Sequence, residues 1–559
     1  MFNKSNIILH IDNLTISNIE KKNTLLHSVS FKIYESEFIS MVGESGSGKS
    51  IICLTILSLL RSSNLKIDSG QIWYYKNNEK IPLLNLNEKE IRKIRLNEIS
   101  IIFQSPLNSL NPKIKCGEQI LEGVKYNLGL NNKFSKIKTH SLLKSVDFSD
   151  TERIYNSYPH QLSGGQLQRI IIAIALSCNP RILIADEPTT SLDNITQSEI
   201  ICLFKKIQKK YKLTCLFVSH DLSIVEKISK RIIVIFKGKI LEKNTTKNLF
   251  QNPLNIYTKA LLLIKESYKF NLIKYLTKEN VLEKKFNFSL FRKENVLEKT
   301  ILIKNRNRIY ENKPIIKLTN VSKKYLIKRF FRSDIVHTAL LNINLKIFKG
   351  ECFGIIGKSG SGKSTIVKCI LNLEKITSGK ITKSKLNSRR DIQIIFQNTK
   401  SSLNPSQRID IMIMEIIKYY KLESNNIKMK KYLNNLLSDV GLEKEILERY
   451  PHQLSGGEIQ RVAIAKAIAV KPKVIIFDES ISGLDLSLQG QILNLLNFLK
   501  NKYNLTFIFI SHNLNIVKSF CDRISVISEG ELVKVGFAED ILKSNVDDIK
   551  KLFVKNLNR

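Results

Sequence analysis

Two short segments of this sequence have the residue types and spacing of a phosphate-binding loop. They are Gly43–Ser50, which reads GESGSGKS, and Gly357–Ser364, which reads GKSGSGKS. Each segment follows a short apolar stretch that predicts a buried strand, and each opens a pattern of helical period. In that setting the glycines let backbone N–H groups turn toward phosphate oxygens at the positive end of a helix. Lys49 and Lys363 are therefore predicted to contact the β- and γ-phosphates of a nucleotide.

An acidic pair ends an apolar stretch in each part of the chain. Asp186 and Glu187 end LIADE, and Asp478 and Glu479 end IIFDE. A buried carboxylate is costly unless it meets a cation or hydrogen-bond donors, so both Asp side chains are predicted to bind Mg²⁺. Each Glu is placed to polarise the water that attacks in phosphoryl transfer. The predicted Mg²⁺ ligands from the loops and the acidic pairs are Ser50, Asp186, Ser364 and Asp478.

Several further motifs occur twice, which makes the chain an internal repeat. PHQLSGGQ spans Pro159–Gln166 and PHQLSGGE spans Pro451–Glu458, while His220 lies in VSHDL and His512 in ISHNL. The serine of SGG precedes the acidic Asp by 23 residues in both copies, and the acidic Glu precedes the His by 33 residues in both. A single histidine of this kind is usually structural, but the matched spacing favours a contact with the γ-phosphate in each copy.

The elements that must position these motifs predict an α/β fold. Short apolar runs rich in β-branched residues alternate with segments of helical period, which is typical of buried parallel strands with crossover helices. A chain of 559 residues is also too long for one hydrophobic core. We expect a first domain over 1–267, a linker over 268–312 and a second domain over 313–559.

Two segments of the chain have no counterpart in the repeat: a linker between the copies and an insertion in the first copy. The segment 268–312 is rich in Lys, Asn and Glu and has no Gly, and we favour a tolerated linker over a functional element. Its length would let the two halves face each other. The first loop glycine and the Gln of IIFQ are 61 residues apart in the first copy and 40 in the second. The extra residues, around 62–100, predict a longer β-rich edge region in the first copy.

Composition limits the classes of function. The net charge of +39 suits nucleic acid or an anionic membrane surface, but the Lys residues are spread evenly, which favours the codon bias of an AT-rich genome. We therefore expect no nucleic-acid partner. The apolar runs are too short to cross a bilayer and the N terminus has no signal peptide, so we expect neither a secreted nor a membrane-spanning protein. The eight Cys show no CxxC spacing, as expected of reduced core residues in a cytosolic protein.

LSGGQ at Leu162–Gln166 is more specific than the phosphate loops, and it carries a family resemblance. Both copies resemble the nucleotide-binding domains of ABC ATPases, over nearly the whole chain. The resemblance implies two P-loop domains, each a RecA-like α/β core with an antiparallel β edge region and an α-helical subdomain, which hydrolyse ATP with Mg²⁺. In that family the signature of one domain closes over the nucleotide of the other. Since both domains are fused here, no homodimer is required.

The motifs and the resemblance together assign the site residues. The catalytic residues are Glu187, Glu479, His220, His512, Gln104 and Gln397, and the two Gln join the Mg²⁺ ligands. The predicted nucleotide contacts in the first copy are Gly43, Glu44, Ser45, Gly46, Ser47, Gly48, Lys49, Ser50, Ser163, Gly164, Gly165 and Gln166. Those in the second copy are Tyr325, Gly357, Lys358, Ser359, Gly360, Ser361, Gly362, Lys363, Ser364, Thr365, Ser455, Gly456, Gly457 and Glu458.

The chain departs from the family pattern at a few positions. Glu458 replaces the signature Gln, Ser480 replaces a Pro and Asn513 replaces an Asp, and none of these changes removes a proposed catalytic group. The adenine-stacking aromatic is Tyr325 in the second copy, whereas Asn18 stands at the matching place in the first. Loss of stacking costs roughly 1–3 kcal/mol by analogy with base–aromatic contacts. We therefore predict two hydrolysing sites of unequal affinity.

Three features indicate the subfamily. FQSPLNSLNP and FQNTKSSLNP, the YPHQLSGG motifs and the tail NPLNIYTKALL at Asn252–Leu262 are similar to those of peptide and nickel importer ATPases. A fused chain resembles the Yej-type microcin C and oligopeptide system and, next, the glutathione importer. The segment Lys323–Leu340 resembles the Yej-type chain best. Some relatives carry a four-Cys iron–sulfur motif after the tail, but 263–300 contains no Cys, so no cluster is expected.

The resemblance also implies partners. It implies two integral-membrane permease subunits, indirectly a periplasmic or extracellular solute-binding protein, and a peripheral location on the cytoplasmic face of the inner membrane. The regions 104–158 and 397–450 would form helical subdomains that receive a coupling helix from each permease, unless they only pack on their own core. The alternatives are a glutathione or nickel importer ATPase, a soluble translation-associated tandem ABC ATPase and a non-hydrolysing scaffold. A DNA-repair ABC ATPase would need zinc-type Cys pairs or long coiled-coil insertions, and the sequence has neither.

Overall fold

The described part of the chain divides into two compact α/β units, split between Leu262 and Leu263. The computed structural model describes residues 6–20, 23–62, 64–77, 79–104, 106–190, 192–267, 313–327, 335–358, 360–386, 389–423, 425–481, 483–511 and 513–544. The predicted linker, 268–312, lies outside them. Within the described part of the chain, every helix falls short of the length and apolarity that a bilayer crossing requires.

The first unit contains ten strands and eleven α-helices among its described residues. The strands are β1 Ile7–Asn18, β2 Asn23–Tyr34, β3 Phe38–Val42, β4 Leu65–Lys76, β5 Glu79–Pro82, β6 Ile99–Ile102, β7 Ile182–Asp186, β8 Thr214–Ser219, β9 Arg231–Phe236 and β10 Lys239–Thr245. The helices are α1 Lys49–Ile56, α2 Glu88–Asn97, α3 Pro106–Ser109, α4 Cys116–Leu128, α5 Asn132–Ser145, α6 Thr151–Asn156, α7 Gly164–Ser177, α8 Asn194–Tyr211, α9 Leu222–Ile228, α10 Thr246–Gln251 and α11 Ile256–Ser267.

The second unit repeats most of this order. Its described strands are β11 Ile316–Ile327, β12 Ile335–Ile347, β13 Cys352–Gly357, β14 Ser378–Lys383, β15 Ile392–Ile395, β16 Val474–Asp478, β17 Thr506–Ile510, β18 Arg523–Ser528 and β19 Glu531–Phe537. Its described helices are α12 Lys363–Ile370, α13 Ile409–Tyr419, α14 Asn426–Val440, α15 Gly456–Ile468, α16 Leu486–Tyr503, α17 Leu514–Phe520 and α18 Ala538–Ser544.

Each unit is built around a six-stranded sheet whose strands run parallel apart from one edge strand. The order is β10-β9-β3-β8-β7-β6 in the first unit and β15-β16-β17-β13-β18-β19 in the second, with β10 and β19 antiparallel to their neighbours. A separate antiparallel sheet, β2-β1-β4-β5 or β12-β11-β14, forms the edge region. Helices α4 to α7, or α13 to α15, make the helical subdomain. The predicted α/β fold class is confirmed.

Burial explains why the central strands form. All five residues of β3 and of β7 are buried, which matches their continuous apolar sequence and helices packed on both faces of the sheet. In the first unit one core cluster joins the antiparallel sheet to α1, and a second joins the helical subdomain to the opposite face of the central sheet. Burying each Ile or Leu stabilises these layers by roughly 1.5–3 kcal/mol.

The insertion of the first unit is only partly a β structure. As predicted, it lengthens the edge sheet, because β4 has 12 residues where β14 has six, and β5 adds a further strand. It also contains α2, which the β-rich prediction missed. The signal was present in the sequence: Asn87 accepts from the N–H of Glu90, whose side chain accepts from the N–H of Asn87, a capping box that starts a helix.

Candidate nucleotide-binding and hydrolysis site

The phosphate loop of each unit joins a buried central strand to a helix. In the first unit the loop leaves β3 at Gly43, and α1 begins at Lys49. A Cβ on Gly43 would lie 2.2 Å from the carbonyl oxygen of Ile235, so only glycine fits there. Gly48 has φ 102°, a conformation that side chains rarely adopt. These constraints turn the loop around the helix N terminus, where an anion is stabilised.

The loop lysine lies at the centre of this turn in both units. The ammonium of Lys49 donates to the carbonyls of Gly43 and Glu44 at 2.9 and 2.8 Å. Lys363 repeats this with Gly357 and Lys358 at 2.9 and 2.7 Å. Both ammonium groups are buried, and these hydrogen bonds go to neutral carbonyls, so a phosphate in the loop would add a charged acceptor.

Buried hydroxyls provide a further test of whether phosphate fits the loops. The hydroxyls of Ser47 and Ser361 are buried and have no hydrogen-bond partner among the described residues. A buried hydroxyl without a partner costs free energy, and a phosphate oxygen could accept from it. The other predicted loop contacts lie between strand and helix, Thr365 lies in the first turn of α12, and Ser359 is outside the described residues.

The residues at the ends of β7 and β16 have the chemistry of a Mg²⁺ site. The Ser50 hydroxyl is close enough to lower the pKa of the Asp186 carboxyl, and the Ser364 hydroxyl donates to Oδ1 of Asp478 at 3.4 Å. Oδ1 of Asp186 is buried and, among the described residues, has no hydrogen-bond partner. A hydroxyl beside an unsatisfied carboxylate oxygen is the hard oxygen set that Mg²⁺ prefers. When bound, the ion would neutralise phosphate charge, and these residues would hold it.

Electrostatics agree with a cation at this position. Burial raises the pKa of the Asp186 carboxyl, and the charge of Glu187 raises it further, against lowering by Ser50 and Lys49. Burial and the charge of Glu479 likewise raise the pKa of Asp478. A raised pKa means that the protein alone disfavours the charged form of each Asp. A divalent cation bound beside the carboxylate would stabilise that charged form.

The carboxylate of Glu187 is the meeting point of the first unit's predicted catalytic residues. Its Oε2 accepts from the Gln104 amide at 2.9 Å, and its Oε1 lies 3.4 Å from Nδ1 of His220 and 3.9 Å from the Lys49 ammonium. Burial alone would raise the pKa of Glu187, but hydrogen bonding and charge from His220, with Lys49 and Thr190, hold it below its ordinary value. The group is thus kept as a carboxylate, the form that accepts a proton.

The second unit repeats the arrangement for the residues that the structure describes. Oε2 of Glu479 accepts from the Gln397 amide at 3.1 Å, and Oε1 lies 3.9 Å from the Lys363 ammonium. Glu479 has φ 47° and Glu187 has φ 48°, left-handed conformations that cost roughly 1–2 kcal/mol for a residue with a side chain. His512 lies outside the described residues, so its predicted contact stays a prediction.

The signature residues form a second group, at the N terminus of α7 and of α15. Ser163 and Gln166 make a capping box at the start of α7, and Ser455 makes the same two bonds with Glu458 at the start of α15. In the second unit these bonds measure 2.7 and 3.3 Å. Glu458 therefore replaces the usual Gln without loss of the cap, which is the physical reason to expect this substitution to be tolerated.

The position predicted to stack on adenine differs between the units. Tyr325 lies opposite His337 in the antiparallel sheet, and the Lys323 ammonium lies 4.7 Å from the centre of its ring. In the first unit Asn18 lies opposite Asn23. The second unit thus offers aromatic rings where the first offers amides, but adenine stacking itself stays a prediction.

Sequence reasoning missed one residue that contacts the predicted site, Thr190, and one that lies near it in the chain, Thr399. The hydroxyl of Thr190 lies 3.1 Å from Oε2 of Glu187. In the second unit the buried hydroxyl of Thr399, two residues after Gln397, donates to Gln460 of α15 at 2.7 Å. Each of these threonines lies two or three residues after a predicted site residue, which is a signal that the sequence contains. Closeness in sequence within a loop does not show which way a side chain points, so the signal is not sufficient.

Comparisons with known proteins agree with this geometry. The family described as ABC transporter matches residues 26–190 and 340–482. The chain is 34% identical to the glutathione import ATP-binding protein GsiA of Escherichia coli K12 over 548 residues, 95% of this chain and 86% of the relative. It is 34% identical to the protein of that name from Salmonella typhimurium, over 91% of this chain and 83% of the relative.

Solved structures match one unit's length of the chain. The dimeric ATP-binding cassette MJ0796 in a post-hydrolysis state, bound to ADP and Pi, is 31% identical and covers 43% of this chain and 99% of its own, with a TM-score of 0.38. On the family match and the relatives, the chain belongs to the ABC transporter family. It is an ATPase whose nucleotide-binding domains take ATP with Mg²⁺.

Proposed function

We propose that this chain is the ATP-hydrolysing motor of an importer, acting through separate permease subunits. The observation that carries the proposal is the extent of the likeness to proteins named glutathione import ATP-binding protein, which reaches 95% of this chain and includes both units. The two copies of the Gln–Glu–Lys cluster support hydrolysis in both units. The permeases would place the chain as a peripheral protein on the cytoplasmic face of the inner membrane.

We further propose that ATP is held between a loop of one unit and the signature of the other. One site would pair Gly43–Ser50 with Ser455–Gly457, and the other would pair Gly357–Ser364 with Ser163–Gly165. The capped N termini of α7 and α15 support this role, since each offers backbone N–H groups and a positive helix end to a γ-phosphate. The same proposal includes the roles of the predicted site residues and a division of the two domains at the linker 268–312. It also includes a coupling role for the helical subdomains.

For the cargo we propose peptides or peptide-like compounds of the Yej-type microcin C and oligopeptide class. The SLNP and YPHQLSGG motifs support the peptide and nickel importer group, and the segment Lys323–Leu340 supports the Yej-type class within it. The named relatives favour glutathione, itself a short peptide. Stimulation of ATPase activity in membranes that contain the partner permeases would separate the cargoes. A rise with short peptides supports our choice, whereas a rise with glutathione or Ni²⁺ alone selects the alternative.

Partner capture tests the motor role. The variant Glu187→Gln, Glu479→Gln should hold ATP without turnover, so cross-linking in native membranes with ATP should trap its partners. The matched control, Lys49→Ala with Lys363→Ala, should bind no ATP and trap fewer. Recovery of two multi-spanning permease subunits is the expected result. Recovery of ribosomes with no membrane protein would overturn the importer proposal and make the net charge of +39 functional.

A further inference from the structure

Thr190 lies in the loop after β7, three residues beyond Glu187, and contacts it twice. Its hydroxyl lies 3.1 Å from Oε2 of Glu187 and 3.2 Å from the carbonyl oxygen of the same residue. The backbone N–H of Thr190 also points at that carbonyl, at 3.4 Å. Since the carbonyl has this backbone donor, the single hydroxyl hydrogen of Thr190 is available to the carboxylate.

The two oxygens of the Glu187 carboxylate have different neighbours. Oε2 is within hydrogen-bond distance of two donors, the Gln104 amide at 2.9 Å and the Thr190 hydroxyl at 3.1 Å. Oε1 faces the Lys49 ammonium at 3.9 Å and Nδ1 of His220 at 3.4 Å, both longer than the two contacts of Oε2. Oε1 therefore keeps acceptor capacity, while Oε2 is fixed from two sides.

The backbone of Glu187 restricts the carboxylate further. Its N–H donates to the carbonyl of Val218 at 3.0 Å, which ties the residue to β8, and its φ is 48°. With the main chain fixed in this way, the orientation of the carboxylate depends on the donors at its oxygens. Of the two donors at Oε2, Gln104 lies 83 residues away in sequence, whereas Thr190 belongs to the same loop as Glu187. Thr190 is therefore the donor whose position is tied to that of Glu187 by the local chain.

We propose that Thr190 is a positioning residue, which holds Oε2 of Glu187 and thereby presents Oε1 to the attacking water. The inference rests on the proposed role of Glu187. In the step concerned, the water oxygen bonds to the γ-phosphorus and the bond from that phosphorus to the ADP oxygen breaks. The bonding pair leaves on ADP, and the proton of the water passes to Oε1.

Two substitutions separate the hydroxyl of Thr190 from its shape. Thr190→Val keeps the volume and removes the hydrogen bond, while Thr190→Ser keeps the bond. Both are made with Glu479→Gln, which silences the second proposed site. We expect Thr190→Val to lower kcat about tenfold and to change the KM for ATP less than about twofold, since Thr190 holds the base and not the phosphates. Thr190→Ser should restore most of kcat.

The division between kcat and KM, with the rescue by Thr190→Ser, is a readout that a merely structural role would not move. Loss of local folding would weaken ATP binding as well as turnover, and Thr190→Ser would not reverse it. Loss of the hydrogen bond to Oε2 should lower turnover alone, because the contacts of the phosphate loop are unchanged.

A control and a reference variant make the outcomes distinct. Thr214 is a buried residue of β8 whose hydroxyl accepts from the N–H of Ser36 at 3.0 Å, so Thr214→Val loses a hydrogen bond away from Glu187 and should leave kcat near the parent value. An unchanged kcat in Thr190→Val, or equal losses in the Val and Ser variants, would overturn the inference. If Glu187→Gln in the Glu479→Gln background still hydrolyses ATP, the proposed role of Glu187 fails instead.

Discussion

The amide of Gln104 donates to Oε2 of Glu187 at 2.9 Å, across 83 residues of sequence. In the second unit Gln397 makes the same bond to Glu479 at 3.1 Å. Because the NH₂ of each amide is used on the carboxylate, its carbonyl oxygen is directed elsewhere and can serve a hard cation. One side chain can therefore orient the proposed base and contribute to the proposed Mg²⁺ site.

The duplication of this contact predicts two active sites. Glu187→Gln should abolish one of two stoichiometric turnovers, Glu479→Gln the other, and the double variant should lose ATPase activity by about 10²–10⁴-fold, the contribution of a positioned base. Single-turnover measurements with excess protein would count the events. Gln retains size and hydrogen bonding, so binding of ATP is the control that should survive. One silent site, with a single variant matching wild type, would contradict the prediction.

The raised pKa of Asp186 predicts a pH-dependent affinity for Mg²⁺. A folded pKa above the ordinary value means that protons compete with the cation at higher pH than they would at an exposed Asp. The Mg²⁺ concentration for half-maximal ATPase activity should therefore rise as the pH falls below neutrality. Asp186→Asn, made with Glu479→Gln so that only the first site turns over, should need more Mg²⁺ at every pH and lose this dependence. An unchanged Mg²⁺ requirement across that range would exclude Asp186 as a ligand.

The capping boxes predict which changes at the signature are tolerated for stability. Glu458→Gln should change the free energy of unfolding by only a few tenths of a kcal/mol, about the effect of a surface change, because Gln166 makes the same cap in the first unit. Ser455→Ala should cost about 1 kcal/mol, since it removes the side chain that accepts at the helix N terminus. Urea unfolding measures both. Equal destabilisation by the two variants would show that the cap does not depend on Ser455.

Sequence alone gave the loops and the acidic pairs because their motifs are local. Gly43 and Lys49 belong to one short loop. The spacing of apolar residues predicts both the buried strand before this loop and the helix after it. The contact of Gln104 with Glu187 is different, since no periodicity relates residues 83 positions apart that follow two different strands. The family resemblance assigned both residues to the site, but it did not predict this contact. Direction of side chains in loops depends on backbone angles, which is why Thr190 was missed.

The edge region shows the same limit in the fold. The prediction of extra β structure in the first unit succeeded for β4 and β5, and in β4 the buried side chains Ile72 and Tyr74 alternate with the half-buried Trp73 and Tyr75. It failed for α2, a mainly polar helix in which buried Ile91 and partly buried Ile94 have the three-residue spacing of one helix face. The Asn87–Glu90 cap also marks the helix start, so a search for caps and for this spacing would have found it.

The unequal edge sheets predict unequal affinity for ATP. Tyr325 lies beside His337 in the second unit, whereas Asn18 and Asn23 occupy the matching strand positions of the first. If adenine stacks on Tyr325, Tyr325→Asn should weaken the second site by roughly 1–3 kcal/mol, and Asn18→Tyr should strengthen the first by up to that amount. Equilibrium dialysis with ATP measures each, with Lys49→Ala or Lys363→Ala used to silence the other loop. The control His337→Asn changes the neighbouring strand while keeping Tyr325. Equal affinities before and after both exchanges would show that the base is held without this ring.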